Sequence, residues 1–342
     1  MFKVEKGKTK TLDVLAKEFY SLLKPSNLKS SSRKYSIVNR LNKSISKETD
    51  TLKKRFYKHL KKKNYKLLKK IISSPSNQLV SIMNDFELMV LNKEIPAFHE
   101  PNGKTIKATK FGEEVLELFN YKACRGSVKF NWLVRELDIP VCPYCNEVYT
   151  FQVKRTNDEI ILHDFDHFIP KVIAPYLSLS FYNLIPTCHS CNSPLKREKI
   201  FNLTDYIYPY HDDLNTLMKF SIDNSVIGND LNTFNIIINE LTTDTNEIKK
   251  ITNHNEVFAI IPRYNNFKNE IIRLNQLKDT YNISYKNQLL DGSLLGVIFS
   301  SEQELKQNIE TIFNIPSSNL SASRMSLGKF KKDIAEEFKI LD

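Results

Sequence analysis

The chain predicts an α+β fold that is mostly α-helical, and three observations carry this prediction. Several segments place apolar residues at the spacing of a helix face, beginning with residues 12–23. Two later runs, residues 218–222 and 233–239, have strand character. Before these runs, two Cys-x-x-Cys pairs bracket residues 142–191. At 342 residues the chain has room for two or three domains.

The N-terminal part predicts an α-helical domain over residues 1–138. Apolar residues recur at helical spacing in four further segments, which are residues 52–72, 79–91, 112–121 and 128–137. Ile139-Pro140 ends the last of them, because the residue before a proline disfavours the helical conformation. The helical domain therefore leads directly into the first cysteine pair.

Positive charge is concentrated at the start of the chain. Residues 1–70 contain 22 Lys or Arg against 5 Asp or Glu, a net charge of +17, whereas the whole chain sums to +11. Ten of these basic residues lie between positions 53 and 70, on a helix with a narrow apolar stripe. Such a segment predicts contact with a polyanion, and nucleic acid is the first candidate because lysines displace counterions from its phosphates. An anionic membrane surface and a merely solvated helix face are the alternatives.

Composition places the chain among globular proteins. Hydrophobic residues make up 41% and charged residues 26%, with no apolar run long enough for a membrane span. The first ten residues are basic but precede no apolar stretch, so we expect no secretory signal and a cytoplasmic location.

The C-terminal region, residues 216–342, predicts a mixed but mainly helical structure. The two strand-like runs are separated by Gly228-Asn229-Asp230. A long helix is predicted from Val257 to Tyr281, and a final helix from about Ser323 to Leu341.

The four paired cysteines predict a structural zinc site. A Cys-x-x-Cys turn places two thiolates on one side of a tight knuckle, and two such knuckles complete a tetrahedral set of four sulfurs. The ligands are Cys142, Cys145, Cys188 and Cys191. An iron–sulfur cluster and a redox dithiol are the alternatives. Cys124 stands alone and is expected to be a small buried hydrophobic residue.

The residues between the knuckles have the chemistry of a hydrolytic site. Asp166 offers an oxygen ligand of the kind Mg²⁺ prefers, and His167 can accept a proton from water near neutral pH. Asn192 can supply a second, neutral oxygen ligand. Asn183 can orient the histidine or pin the loop before it. His163 and Asp164 precede the motif. Three roles are open to them: packing, orienting His167 and assisting in metal binding.

These residues lie in three short motifs. The motifs are Asp166-His167-Phe-Ile-Pro-Lys171, Asn183-Leu-Ile-Pro-Thr-Cys188 and Cys191-Asn192-Ser-Pro-Leu-Lys196. Together they resemble the HNH (His-Me finger) endonucleases, and within them the four-cysteine branch, whose core is a ββα unit. The resemblance covers about 55 residues and implies that residues 139–215 form this nuclease module. Many HNH members have His where this chain has Asn192.

The resemblance implies a one-metal hydrolysis of phosphodiester bonds. His167 would deprotonate the attacking water, and Mg²⁺ or Mn²⁺ on Asp166 and Asn192 would stabilise the developing charge. Lys196 or Lys171 would contact a phosphate. The implied substrate is DNA, most simply double-stranded.

The residues of these motifs look most like those of HNH nucleases from bacterial anti-phage systems, of the Septu and retron-associated types. These act with an ATPase, so the resemblance implies such a partner. A non-catalytic zinc-ribbon nucleic-acid-binding protein and an RNase or toxin nuclease are the alternatives.

Overall fold

Helices supply most of the regular structure, and short antiparallel strand pairs supply the rest. A computed structural model describes residues 2–24, 36–156, 158–223, 233–280, 282–291, 299 and 301–340. The helices are α1 (Leu12–Leu23), α2 (Ile37–Lys47), α3 (Thr51–Ser73), α4 (Ser76–Leu91), α5 (Lys110–Phe119), α6 (Tyr121–Arg125), α7 (Val128–Leu137), α8 (Leu214–Leu217), α9 (Thr245–Phe258), α10 (Ile260–Tyr264), α11 (Lys268–Thr280), α12 (Ile283–Asp291), α13 (Glu302–Phe313), α14 (Asn319–Arg324) and α15 (Gly328–Glu337). The predicted α+β, mostly helical fold is confirmed.

The strands form four separate two-stranded antiparallel sheets. They are β1 (His99–Asn102) with β2 (Thr105–Ala108), β3 (Gln152–Lys154) with β4 (Glu159–Ile161), β5 (Asp164–His167) with β6 (Leu184–Thr187), and β7 (Met218–Ile222) with β8 (Ile236–Glu240). The strand character predicted for residues 218–222 is confirmed, and its partner β8 begins three residues later than predicted. Residues 224–232, which include Gly228-Asn229-Asp230, lie outside the described part of the chain.

The basic helix α3 differs from the uniform helix that its apolar spacing predicts. The backbone leaves the helical conformation from Lys62 to Tyr65, with positive φ angles at the last three of these residues. No aliphatic residue lies between Leu60 and Leu67. The core therefore holds the two halves of α3 separately, and a kink separates them.

An aromatic cluster fixes α3 against the middle of the chain. The ring of Phe56 lies 5.4 Å from that of Phe86 and 5.5 Å from that of Phe98. Tyr176, from the loop between β5 and β6, packs on Phe86 at 4.5 Å and on Phe98 at 5.2 Å. The basic helix is thus packed on the same loop that follows His167.

The sequence predicts one helix from Val257 to Tyr281, and these bounds are wrong because α9, α10 and α11 cover this region. Helix α9 begins already at Thr245 and ends at Phe258, where Ala259 has a φ of 49°. The side chain of Asn255 accepts the backbone N–H of Ile261 and so caps the break. A second helix break lies at Leu327, whose φ is 57°, and it separates α14 from α15. The single final helix that the sequence predicts is therefore divided. Leu341, its predicted end, lies outside the described residues.

One continuous cluster of buried hydrophobic residues runs through all three parts of the chain. The N-terminal segment joins the middle through Val4, whose N–H donates to the carbonyl of Pro209. The C-terminal segment joins it at Asn146, whose backbone and side-chain oxygens accept the N–H groups of Leu327 and Lys329. The boundaries at residues 138/139 and 215/216 stay predictions. In the described ranges, no helix is both long and apolar enough to cross a membrane.

Candidate metal centre and active site

The four paired cysteines meet in one buried cluster. Their sulfur atoms all lie within 4.8 Å of one another, and the Sγ atoms of Cys145 and Cys188 are 3.9 Å apart. A tetrahedral zinc ion with bonds of about 2.3 Å separates its sulfurs by about 3.8 Å. The four residues therefore fit zinc, and an all-sulfur set leaves no coordination position for water or substrate. The centre is suited to a structural role.

Each knuckle is shaped by its own backbone. The N–H of Asn146 donates to the carbonyl of Cys142, and Asn146 itself takes a φ of 51°, which asparagine tolerates. In the second knuckle the N–H of Cys191 donates to the sulfur of Cys188 at 3.4 Å. Arg263 adds a guanidinium N–H to the sulfur of Cys191, also at 3.4 Å, so a positive charge faces the thiolates.

The residues of the predicted catalytic motif lie on a small strand–strand–helical-turn unit. Strand β5 pairs with β6 so that Asp166 lies opposite Ile185 and His167 opposite Leu184. A single wide helical turn from Cys191 to Lys196 follows the second knuckle and contains Pro194. The cluster of sulfurs thus joins the first knuckle, which precedes the unit in sequence, to the unit's last element.

Asp166 is buried, and donors occupy both of its carboxylate oxygens. The hydroxyl of Tyr144 donates to Oδ2 at 2.7 Å, and the ammonium of Lys196 donates to Oδ1 at 2.7 Å. Tyr144 lies inside the first Cys-x-x-Cys pair, and Lys196 ends the turn after the second. The carboxylate therefore ties both knuckles to β5.

Lys196 has a different place from the one predicted for it. It is only 1% exposed, and its ammonium also donates to the carbonyls of His167 and Phe168, at 2.7 and 3.3 Å. The ring of Phe201 covers it at 4.6 Å. With its donors used internally, Lys196 holds the end of β5 in this structure and does not face a substrate phosphate. Lys171 is exposed, and its ammonium lies over the ring of Tyr121 at 5.2 Å.

His167 is buried with one nitrogen fixed. Its Nε2 lies 2.9 Å from the carbonyl oxygen of Ser178. Because a carbonyl only accepts hydrogen bonds, Nε2 carries the proton and the neutral ring keeps a lone pair on Nδ1. Burial lowers the pKa of His167 to about 3, with the charge of Lys171 as the next cause. The imidazole is therefore neutral at physiological pH and is packed edge-on against Tyr121, 4.5 Å between ring centres.

Asn183 pins the loop between β5 and β6. Its side-chain oxygen accepts the N–H of Ile169 at 2.8 Å, and its amide donates to the carbonyls of Ile169 and Leu177 at 3.0 and 3.3 Å. Because Ser178 follows Leu177, these bonds also fix the carbonyl that holds His167. Of the two roles open to Asn183, the contacts are those of a loop anchor.

Asn192 contacts Asp164 in place of the predicted neighbour Asp166. Its amide lies 3.1 Å from Oδ2 of Asp164, and Nδ1 of His189 lies 3.0 Å from the same oxygen. Asp164 and Asp166 share one face of β5, because side chains alternate along a strand. His163 instead packs inward, with burial lowering its pKa to about 4.

Sequence reasoning missed three residues around this site. Tyr144 lies between the two cysteines of the first knuckle and His189 between those of the second. That position was a usable signal, because a metal ion on the cysteines would fix such residues in space. Tyr121 gave no local signal, since it reaches His167 only through the packing of α6 on α7. Comparisons of the chain with protein-family models, with curated proteins and with solved structures give no match.

We expect Cys188→Ser to lose zinc. Removing one sulfur opens a closed four-ligand set whose metal binding contributes directly to folding. Purified variant and wild-type chains would be compared by metal analysis and by thermal unfolding. Cys124→Ser is the matched control, because Cys124 is also buried but lies outside the cluster. Equal zinc content in Cys188→Ser and wild type would contradict the four-sulfur site.

We expect Lys196→Met to lower the free energy of unfolding by about 3–5 kcal/mol, since it leaves the buried carboxylate of Asp166 without its cation. Lys171→Met, at an exposed lysine, should change stability by about 0.5 kcal/mol or less. Denaturant unfolding of the zinc-loaded proteins measures both values. Similar stability of the two variants would show that the buried pair contributes little.

Proposed function

We propose that the chain is a metal-dependent HNH endonuclease that hydrolyses phosphodiester bonds in DNA. One observation carries the proposal: a buried, neutral His167 with Nε2 fixed by a carbonyl and a lone pair on Nδ1, on a zinc-stapled strand–strand–turn unit. A non-catalytic zinc ribbon needs the cysteines but has no use for a histidine held in this way.

His167 is the general base of the proposed reaction. Nδ1 takes a proton from the attacking water, and the Ser178 carbonyl keeps the ring oriented while the proton is held. Burial disfavours the resulting imidazolium, and the negative charge of a bound phosphate offsets that cost. Lys171 is exposed, and its charge acts on the imidazole of His167, so it is the lysine that supports phosphate contact.

The same unit also carries oxygen donors for a divalent ion. Asn192 and a carboxylate of β5 would hold Mg²⁺ or Mn²⁺, and the ion would supply charge stabilisation at the scissile phosphate and the leaving 3′-oxygen. Carboxylate and amide oxygens are the donors that these cations prefer, so the residues present fit the ion.

Helix α3 supports the choice of a nucleic acid substrate. Eight of its basic residues are exposed: Arg55, Lys58, Lys61, Lys62, Lys63, Lys66, Lys69 and Lys70. Within the described residues no ion pair neutralises any of them. These residues therefore offer a dense set of cations to phosphates, and α3 packs through its apolar side on the loop that holds His167.

The choice of double-stranded DNA and an effector role in anti-phage defence with an ATPase partner rest on the family resemblance alone, whereas the cytoplasmic location stays an expectation from the sequence. Incubation of the purified chain with plasmid, single-stranded DNA and RNA, with and without Mg²⁺ or Mn²⁺, tests the substrate. An RNase would degrade only the last of these.

We expect His167→Ala to lower metal-dependent plasmid cleavage by about 10²–10⁴-fold, the usual contribution of a general base. Zinc content, measured alongside, should not change. His211→Ala is the control, because His211 is exposed and lies outside the unit. Wild-type cleavage by His167→Ala would rule out this residue as the base.

We expect a triple change of Lys58, Lys61 and Lys62 to Gln to weaken DNA binding and to flatten its salt dependence. Each lost phosphate contact removes about 0.9 from the slope of log K against log salt. Fluorescence anisotropy with labelled duplex at several salt concentrations gives this slope. The control changes Lys93, Lys104 and Lys110, which are also exposed lysines but lie off α3. Equal slopes for both triples would exclude α3 as the DNA contact.

A further inference from the structure

We infer that the guanidinium of Arg197 binds a phosphate of the nucleic acid beside Asn192, in the role that the sequence motif assigns to Lys196. The inference rests on the proposed function for its ligand, and it adds a substrate contact that the motif does not contain. Three observations carry it: the burial of Lys196, the backbone conformation of Arg197 and the free donors of the Arg197 side chain.

Lys196 and Arg197 differ in direction at the end of the wide helical turn. The ammonium of Lys196 donates to Asp166 and to the carbonyl of His167, and this side chain is buried. Arg197, the next residue, is exposed. Its backbone N–H donates to the carbonyl of Asn192 at 3.2 Å, so it is held against a proposed metal ligand. The basic group that this turn presents to solvent is therefore that of Arg197.

The backbone at Arg197 has a conformation that favours glycine. Its φ is 50° and its ψ is −126°, as at the first central residue of a type II′ turn. The N–H of Lys199 donates to the carbonyl of Lys196 at 3.1 Å and closes this turn. A side chain is strained there, whereas glycine is not. Such strain persists where the surrounding structure fixes it, and it is concentrated at functional sites.

The guanidinium of Arg197 keeps donors for a ligand. Its Nε donates to the carbonyl of Pro194 at 2.9 Å, which orients the planar group. Within the described ranges, its two terminal nitrogens have neither a hydrogen bond nor an ion pair. Two N–H groups in this fork match the oxygens of a phosphate in a bidentate contact.

The lining of the surrounding cleft also suits a phosphate. Arg197 shares this open cleft with Asn192, Ser193 and Glu198. The amide of Asn192 and the hydroxyl of Ser193 are groups that donate to phosphate oxygens. The carboxylate of Glu198 opposes an anion, and in the part of the chain that the structure describes it forms no ion pair with Arg197. Removal of this carboxylate should therefore strengthen binding.

Arg197→Gly separates the phosphate contact from a structural role, because glycine removes the guanidinium and suits the backbone. We expect its thermal midpoint to equal or exceed that of the wild type. Without added divalent ion, the slope of log K against log salt for a labelled DNA duplex should fall by about 0.9, the value of one phosphate contact. With Mg²⁺ or Mn²⁺, kcat/KM for plasmid cleavage should fall by about tenfold or more.

Three further variants serve as comparisons. Arg197→Lys keeps the charge without the fork, so it should keep the salt slope and lose part of the cleavage. Glu198→Gln should bind the duplex at least as tightly as the wild type. Arg155→Gln removes an exposed arginine of the β3–β4 hairpin and should leave Kd and cleavage within about twofold.

Two results for Arg197→Gly overturn the inference. One is the wild-type salt slope together with wild-type cleavage. The other is a loss of cleavage accompanied by a lower thermal midpoint, which would assign Arg197 to the support of the fold.

Binding and cleavage by the same proteins separate this inference from the proposed function. A wild-type chain that binds duplex through Arg197 but cuts no nucleic acid refutes the nuclease and leaves the phosphate contact. Plasmid cleavage that Arg197→Gly leaves unchanged, with an unchanged salt slope, refutes the contact and leaves the nuclease. A wild-type chain that neither binds nor cuts DNA refutes both.

Discussion

The buried ion pair between Asp166 and Lys196 is the constraint on which the site depends. Burial of a charge is costly unless a partner and hydrogen bonds compensate it, so each member must stay where the other can reach it. Tyr144 adds a third contact from the first zinc knuckle. The pair therefore locks strand β5 to both knuckles, and the exact placement of His167, the next residue, follows from it. A zinc ion on the four cysteines would act together with the ion pair, since it would fix Tyr144 and the turn that carries Lys196.

The C-terminal region completes this arrangement by enclosing the first knuckle. His254 contacts the carbonyl of Tyr144 at 2.7 Å, and Tyr264 donates its hydroxyl to the carbonyl of Cys145 at 2.6 Å. The ring of Phe258 stacks on Tyr144 at 4.5 Å. These contacts keep water from the Tyr144–Asp166 hydrogen bond, and a drier environment strengthens it. Helices α9 and α10 are thus part of the support for β5, although His254 lies 110 residues from Tyr144 in sequence.

Residue patterns within short stretches of sequence predicted the structural elements that local interactions determine. The bounds of α1 and the strand β7 follow from residue spacing within short windows, and the four-sulfur cluster follows from two short Cys-x-x-Cys motifs, so each was predicted from the sequence. The break at Ala259 and the kink after Lys62 were not, because periodicity carries no sign of a positive φ. The partners of Asp166 lie 22 and 30 residues away, so only the folded chain reveals them. Strand alternation did hold one unused signal, since it places Asp164 on the face of Asp166.

The fold also bears on how substrate capture and cleavage would be related in the proposed nuclease. The sequence places the basic charge far from the histidine motif and suggests separate domains for the two tasks. In the fold, the apolar side of α3 reaches Tyr176 through the Phe56–Phe86–Phe98 cluster, and Ser178 lies two residues beyond Tyr176. Ser178 provides the carbonyl that orients His167. A phosphate backbone bound along α3 would therefore contact the helix that packs on the Tyr176–Ser178 loop, and this loop orients the proposed base. Binding and catalysis would then share one rigid support.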